Sequence, residues 1–146
     1  MATTATTTVP AVKAALYDLL KARPGLAGVQ VEWARPSHDA MQPEAVWFEG
    51  TKTKQRAQAM GHQRRDETYI LELTVSIVLD GDEARACEYR MWQVVADIEA
   101  CVRENPRPIP APLFDVQFDG ADQQPAQAPG QRLSEATVRI AARSRI

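Results

Sequence analysis

Histidine is nearly missing from this chain, with only His38 and His62 in 146 residues. Both fall in polar stretches with no Cys, Asp or Glu at metal-ligand spacing, so neither nominates a metal site or a general base. Cysteine is equally scarce. Cys87 and Cys101 stand fourteen residues apart on one predicted helix, which separates them by about 21 Å at a rise of ~1.5 Å per residue. A disulfide needs Cα atoms within about 7 Å, so both read as reduced, buried thiols. The seven glycines fall singly and build no phosphate cradle, and neither a Walker lysine nor a nucleophile elbow occurs. Nucleotide hydrolysis and acyl transfer thereby lose their usual signatures. Long apolar runs are lacking too, none approaching the roughly 20 residues of a membrane-spanning helix. The opening residues, Met1 to Thr8, form a Thr/Ala run without the basic start and apolar centre of a secretory signal. They read as a flexible tail, 1–8, on a chain made in a cytoplasm.

What is present suits one globular domain over residues 9–146. Apolar residues make up 45% of the chain, and the 17 Lys and Arg nearly balance the 19 Asp and Glu. With a net charge of -2, no global field draws the protein toward nucleic acid or an anionic membrane. Binding of that kind would have to be local.

Periodicity supplies the elements. Val12, Leu16, Leu19 and Leu20 recur at helical spacing from about Pro10 to Arg23, with Thr8 or Val9 at the cap and Arg23-Pro24-Gly25 as the stop. Val29, Val31 and Trp33 alternate with polar neighbours as a strand to about Arg35, and Ala45 to Glu49 make a second short strand ending at Gly50. The clearest strand is Glu67 to Leu79, where Tyr69, Leu71, Leu73, Val75, Ile77 and Leu79 share one face and Glu72, Thr74 and Ser76 the other. After Asp80-Gly81-Asp82, with Asp82 placed to cap, Cys87, Met91, Val94, Val95, Ile98, Cys101 and Val102 form the apolar stripe of a long helix. Prolines 106, 108, 110 and 112 enforce an extended crossover. Two further strands close the chain, at Leu113 to Phe118 and at Leu133 to Arg143. The order αβββαββ predicts an α+β fold, a mixed or antiparallel sheet of about five strands with two helices on one face. The other face, bearing Glu72, Thr74, Ser76, Thr137 and Arg139, is expected to stay exposed or to line a subunit contact.

Two polar stretches are left as loops, one over 51–65 and a Pro/Gln-rich one over 121–131. The first carries Lys52, Lys54, Arg56, Arg64 and Arg65, and long loops in compact domains are commonly functional. It holds no aromatic residue to stack on bases, so a solvated or protein-contacting arm is the favoured reading. Asp80, Asp82 and Glu83 resemble an acidic cluster, but helix capping and the helix dipole account for acids at that turn. Trp33, Trp47 and Trp92 read as core or interface. Trp47 joins the interface candidates because Val46 and Phe48 already claim the opposite face of its strand. No catalytic residue, cofactor or metal ligand emerges. Three classes of function remain: an assembly protein, a small oligomeric ligand-binding or enzymatic α+β domain, and a nucleic-acid accessory protein acting through the basic loop.

The succession of the Val12–Leu20 helix, Val29-Gln30-Val31-Glu32-Trp33, Val46-Trp47-Phe48-Glu49-Gly50, the basic loop, Arg65-Asp66-Glu67-Thr68-Tyr69-Ile70-Leu71-Glu72-Leu73-Thr74-Val75 and the Ala84–Val102 helix resembles the tail terminator proteins of long-tailed bacteriophages. The likeness spans most of residues 9–143. Related tail tube and neck proteins look similar in the order and length of their elements. The resemblance implies a virion protein forming a hexameric ring at the head-proximal end of the tail tube. Such a ring stops tube polymerisation, meets the head connector and lets DNA pass without reading its sequence. Catalysis is not implied. On that reading the five cations contact an adjacent subunit or the tube below.

Overall fold

The computed structural model describes residues 7–57, 65–80, 84–110, 113–128 and 131–145, of which 55–57, 65, 80, 114, 125–128, 131 and 132 are described by their backbone alone. Helix α1, Val9–Ala22, opens with proline in its first turn and buries Val12, Leu16 and Leu20. A short strand β1, Gln30–Glu32, follows. The long strands β2, Glu44–Ala57, and β3, Arg65–Asp80, come next. Helix α2, Ala84–Glu104, leads to β4, Leu113–Ala128, and β5, Gln131–Arg145. The five strands lie in the order β1-β2-β3-β5-β4. β1 runs parallel to β2 and every other pair is antiparallel. The expected α+β architecture, with its mixed sheet and its order of elements, is the one observed.

The core forms where the periodicities meet. Tyr69, Leu71, Leu73, Val75 and Ile77 of β3, Val46 and Phe48 of β2 and Ala136, Val138, Ile140 and Ala142 of β5 pack against the buried stripes of α1 and α2 in one cluster. The α2 stripe is the expected set, Cys87, Met91, Val94, Val95, Ile98, Cys101 and Val102. Burying each large member stabilises the fold by about 2 kcal/mol. Burial pushes the Cys101 thiol above its usual range, and the Cys87 thiol donates to the Ile77 carbonyl oxygen at 3.2 Å. Neither cysteine takes part in a disulfide. Arg23 ties the two helices, reaching Asp97 at 3.2 Å and Glu104 at 2.9 Å. Arg90 clamps α2 to the start of β2 through both Glu44 oxygens, at 2.7 and 2.9 Å.

Three boundaries depart from the sequence-based expectation. Thr51–Ala57 and Arg65 are strand rather than loop, because β3 supplies a paired backbone as far as Ala57↔Arg65. The run Thr51-Lys52-Thr53-Lys54 places β-branched threonines on one face and lysines on the other, a pattern that suits a solvated edge strand. Residues 121–128 and 131 likewise belong to β4 and β5, paired from Ala121↔Val138 to Ala128↔Gln131. A bulge between Phe118 and Ala121 admits Gly120 at φ 102°, a left-handed conformation that glycine adopts without a Cβ clash. Finally, Thr8 is buried rather than part of a flexible tail. It is the N-cap of α1, yet its side chain makes no capping bond. Its hydroxyl instead meets Tyr69 Oη at 2.9 Å, Ser144 Oγ at 3.0 Å and Glu67 Oε1 at 3.3 Å, and its backbone N–H donates to Glu67 Oε1 at 3.0 Å. Residues 1–6, 81–83 with the Asp82 cap, and 58–64 with His62 and Arg64 lie outside the described residues.

Candidate assembly interface

The two helices cover one side of the sheet and leave the other open. Because side chains alternate along a strand, Lys52 and Lys54 of β2 fall on that open side. They share it with Thr68 and Ile70 of β3, Ala141 and Arg143 of β5 and Asp115 and Gln117 of β4. These residues line a wide hollow of about 520 Å³. Both lysines are exposed, and Lys52 reaches Glu72 at 3.6 Å with most of its side chain in solvent. Surface pairs of this kind contribute little to stability. Arg56 pairs by its backbone with Asp66, and Arg65 with Ala57, in the same hairpin. Thus four of the five predicted cations belong to one strand pair, while Arg64 lies outside the described residues.

Trp47 does not join them. Its side chain does point away from the helices, as Val46 and Phe48 require, but it is only 1% exposed. The indole N–H donates to Glu49 Oε1 at 2.7 Å, the Thr74 hydroxyl donates to the same oxygen at 3.2 Å, and the Arg35 guanidinium sits 5.6 Å from the ring centroid. Arg35 belongs to the connection between β1 and β2. That connection covers this end of the open face: Val78 of β3 shares a hollow with Arg35, Pro36, His38 and Met41, and its N–H donates to the Pro43 carbonyl oxygen at 2.8 Å. The same cover explains why Thr74 and Ser76 are buried, contrary to the expectation of an exposed second face. Glu72, Thr137 and Arg139 remain partly exposed.

Sequence periodicity missed the exposed aromatics. Trp33, expected to alternate inward, stands just past the end of β1 and is 41% exposed. It makes an edge-on contact with Tyr17 at 5.6 Å and lies 6.2 Å from Phe48. The Lys13 ammonium sits 4.1 Å from its ring centroid, and burial there pulls that lysine below its usual range. Tyr89 and Trp92 lie on the solvent side of α2, and the absence of both from the apolar stripe was the signal that could have placed them there. Among the described residues no group of three metal-ligating side chains occurs, and no helix is long and apolar enough to cross a membrane. His38 sits exposed in a short 3-10 turn. The described surface thus offers edges, charges and aromatic corners.

These features define a two-layer α+β domain with both helices on one face of its sheet. A solved structure of the virion of a native gene transfer agent particle contains a chain of the same fold, with a TM-score of 0.69 at 14% identity over 97% of this chain and 100% of that one. At such identity the likeness establishes the fold and leaves function to the residues. No family model and no curated protein sequence matches this chain.

Proposed function

We propose that this chain is a virion structural protein, a tail terminator that closes into a ring at the head-proximal end of a phage-type tail tube, ends tube growth and joins the tail to the head connector. The single observation that carries the reading is a full-length likeness in fold to a chain of a phage-like particle, at a TM-score of 0.69. The surface supports it, because a ring subunit needs two different surfaces on opposite sides. This sheet has two different edges. On this reading the protein performs no catalysis and holds no cofactor. Its partners are copies of itself, the tube protein beneath and the connector above, and its place is the virion. Lys52, Lys54, Arg56, Arg64 and Arg65 contribute to the contact with a neighbouring subunit or the tube.

A particle-producing strain lacking this chain separates the possible roles. Loss of a terminator yields tubes of uncontrolled length without heads, reversed by restoring the wild-type chain. Normal-length tubes without heads would instead assign it to the neck, and absence of tubes would make it a tube protein.

A further inference from the structure

The connection between β1 and β2 is built as a fixed wall, although most of it has no regular secondary structure. Gln30 of β1 reaches across it: its carboxamide oxygen accepts the Gln42 N–H at 2.8 Å, and its Nε2 donates to the Ala40 carbonyl oxygen at 3.0 Å. The Ala40 N–H closes a turn on the Ser37 carbonyl oxygen at 3.0 Å, and the Val78 N–H of β3 donates to the Pro43 carbonyl oxygen at 2.8 Å, which pins the far end to the sheet. Pro36 and Pro43 hold their own φ angles fixed. Between this wall and β3 lies a hollow of about 370 Å³, within the range of roughly 300–1,000 Å³ found for small-ligand sites.

The lining of the hollow has two parts. Met41, Pro43 and Val78 give apolar sides, while Arg35, His38 and Gln42 bring hydrogen-bond donors. No acid is among the lining residues. Among the described residues, none of the three polar side chains has a hydrogen-bond or ion-pair partner. Arg35 is nonetheless held in place, its guanidinium resting 5.6 Å from the centroid of the buried Trp47 ring.

This set of groups selects a ligand by chemistry. An unopposed guanidinium attracts a carboxylate and grips it through two parallel N–H donations. The apolar sides favour an aliphatic group next to that carboxylate, because burying it there removes it from water. The Gln42 carboxamide both donates and accepts, which matches a peptide group and finds no counterpart in a plain acyl chain. A carboxylate, an aliphatic side chain and a peptide group stand together at the C-terminal residue of a polypeptide.

We propose that the hollow receives the C-terminal residue of a partner polypeptide that ends in an aliphatic side chain. Arg35 and His38 hold the terminal carboxylate, Gln42 meets the last peptide group, and the side chain lies against Met41, Pro43 and Val78. The site is at the opposite end of β2 and β3 from the basic hairpin, and the inference does not depend on the ring reading.

The test is calorimetric titration of the full chain with hexapeptides of one common sequence that end in leucine, isoleucine, valine or methionine. At least one is expected to bind, and its C-terminal amide to bind about tenfold more weakly or worse, because the amide lacks the charge that Arg35 meets. Arg35→Gln removes that cation and Met41→Asp sets an acid in the apolar wall, and each should weaken the peptide by about tenfold or more. Arg35 is exposed and Met41 half-buried, so thermal melting should show both variants folded, with the solution mass of the wild type. Hexanoate, a carboxylate without a peptide group, is expected to bind more weakly than the best peptide. Equal binding of acid and amide, undiminished binding by folded Arg35→Gln, hexanoate binding more tightly than every peptide, or no binding by any peptide at millimolar concentration overturns the site. The ring is read from solution mass alone, so failure of the site and failure of the ring are distinguished.

Discussion

Replacing Thr8 with valine separates two views of the N-terminal segment, since a residue in a flexible tail tolerates that change and a buried one does not. Valine has nearly the shape of threonine, so the substitution removes the hydroxyl and little else. In the structure that hydroxyl meets Tyr69 Oη, Ser144 Oγ and Glu67 Oε1, at 2.9, 3.0 and 3.3 Å, in a pocket where Glu67 and Ser144 are fully buried. A net contribution of roughly 0.5–1.5 kcal/mol for each neutral bond, more for one to a charged group, and the cost of leaving a buried partner unsatisfied give a loss of about 2–4 kcal/mol. The backbone donation from Thr8 to Glu67 survives the change, which keeps the loss from being larger. Urea unfolding followed by circular dichroism reads this as a lower midpoint with an unchanged slope, and thermal melting as a fall of roughly 4 °C per kcal/mol. A loss below about 0.5 kcal/mol would refute the latch and restore Thr8 to the tail.

Other consequences follow from the same geometry. Burial raises the Tyr69 phenol to about 12, so the folded state holds that proton more tightly than the unfolded chain. Stability linked to Tyr69 is therefore complete below about pH 10 and is lost as pH rises toward 12. Denaturant midpoints measured across that window should fall less steeply in Tyr69→Phe. Gly120→Ala forces a side chain into a left-handed conformation, with Arg139 only 3.2 Å from the new Cβ. It should cost about 1–2 kcal/mol in urea unfolding. Trp47→Phe removes the indole donation to Glu49 and should lower stability by about 1–2 kcal/mol while leaving the mass of any oligomer unchanged. A change in mass instead would return Trp47 to the interface. Leu73→Ala, fully buried beneath the helices, should cost about 2–5 kcal/mol by the same measurement.

The sequence carried the core better than the edges, for a physical reason. Burial on the helix-facing side of β3 and along α2 imposes strict periods of two and 3.6 residues, and Tyr69 to Ile77 and Cys87 to Val102 display them openly. Strand ends carry no such constraint. Thr51–Ala57 reads as polar and basic, yet it is held in the sheet by backbone bonds to β3, to which its side chains contribute little. The β4–β5 hairpin hides behind glutamines and Pro125 in the same way. Trp47 could not be placed because what covers it is the irregular β1–β2 connection, whose path follows from no local pattern. The Thr8 latch was equally invisible, its partners Glu67 and Ser144 lying 59 and 136 residues along the chain. Of the candidate interface, the charge of the β2–β3 hairpin was legible in the sequence. Its geometry as paired strand rather than loop was not.

On the proposed reading this domain works by closing into a ring with copies of itself. Electron microscopy of the purified chain, paired with its solution mass, shows whether such a ring forms. Closed rings whose mass is a whole multiple of 16.2 kDa are the expected result. A compact particle of 16.2 kDa at every concentration, or a dimer closed on a twofold axis, would contradict it.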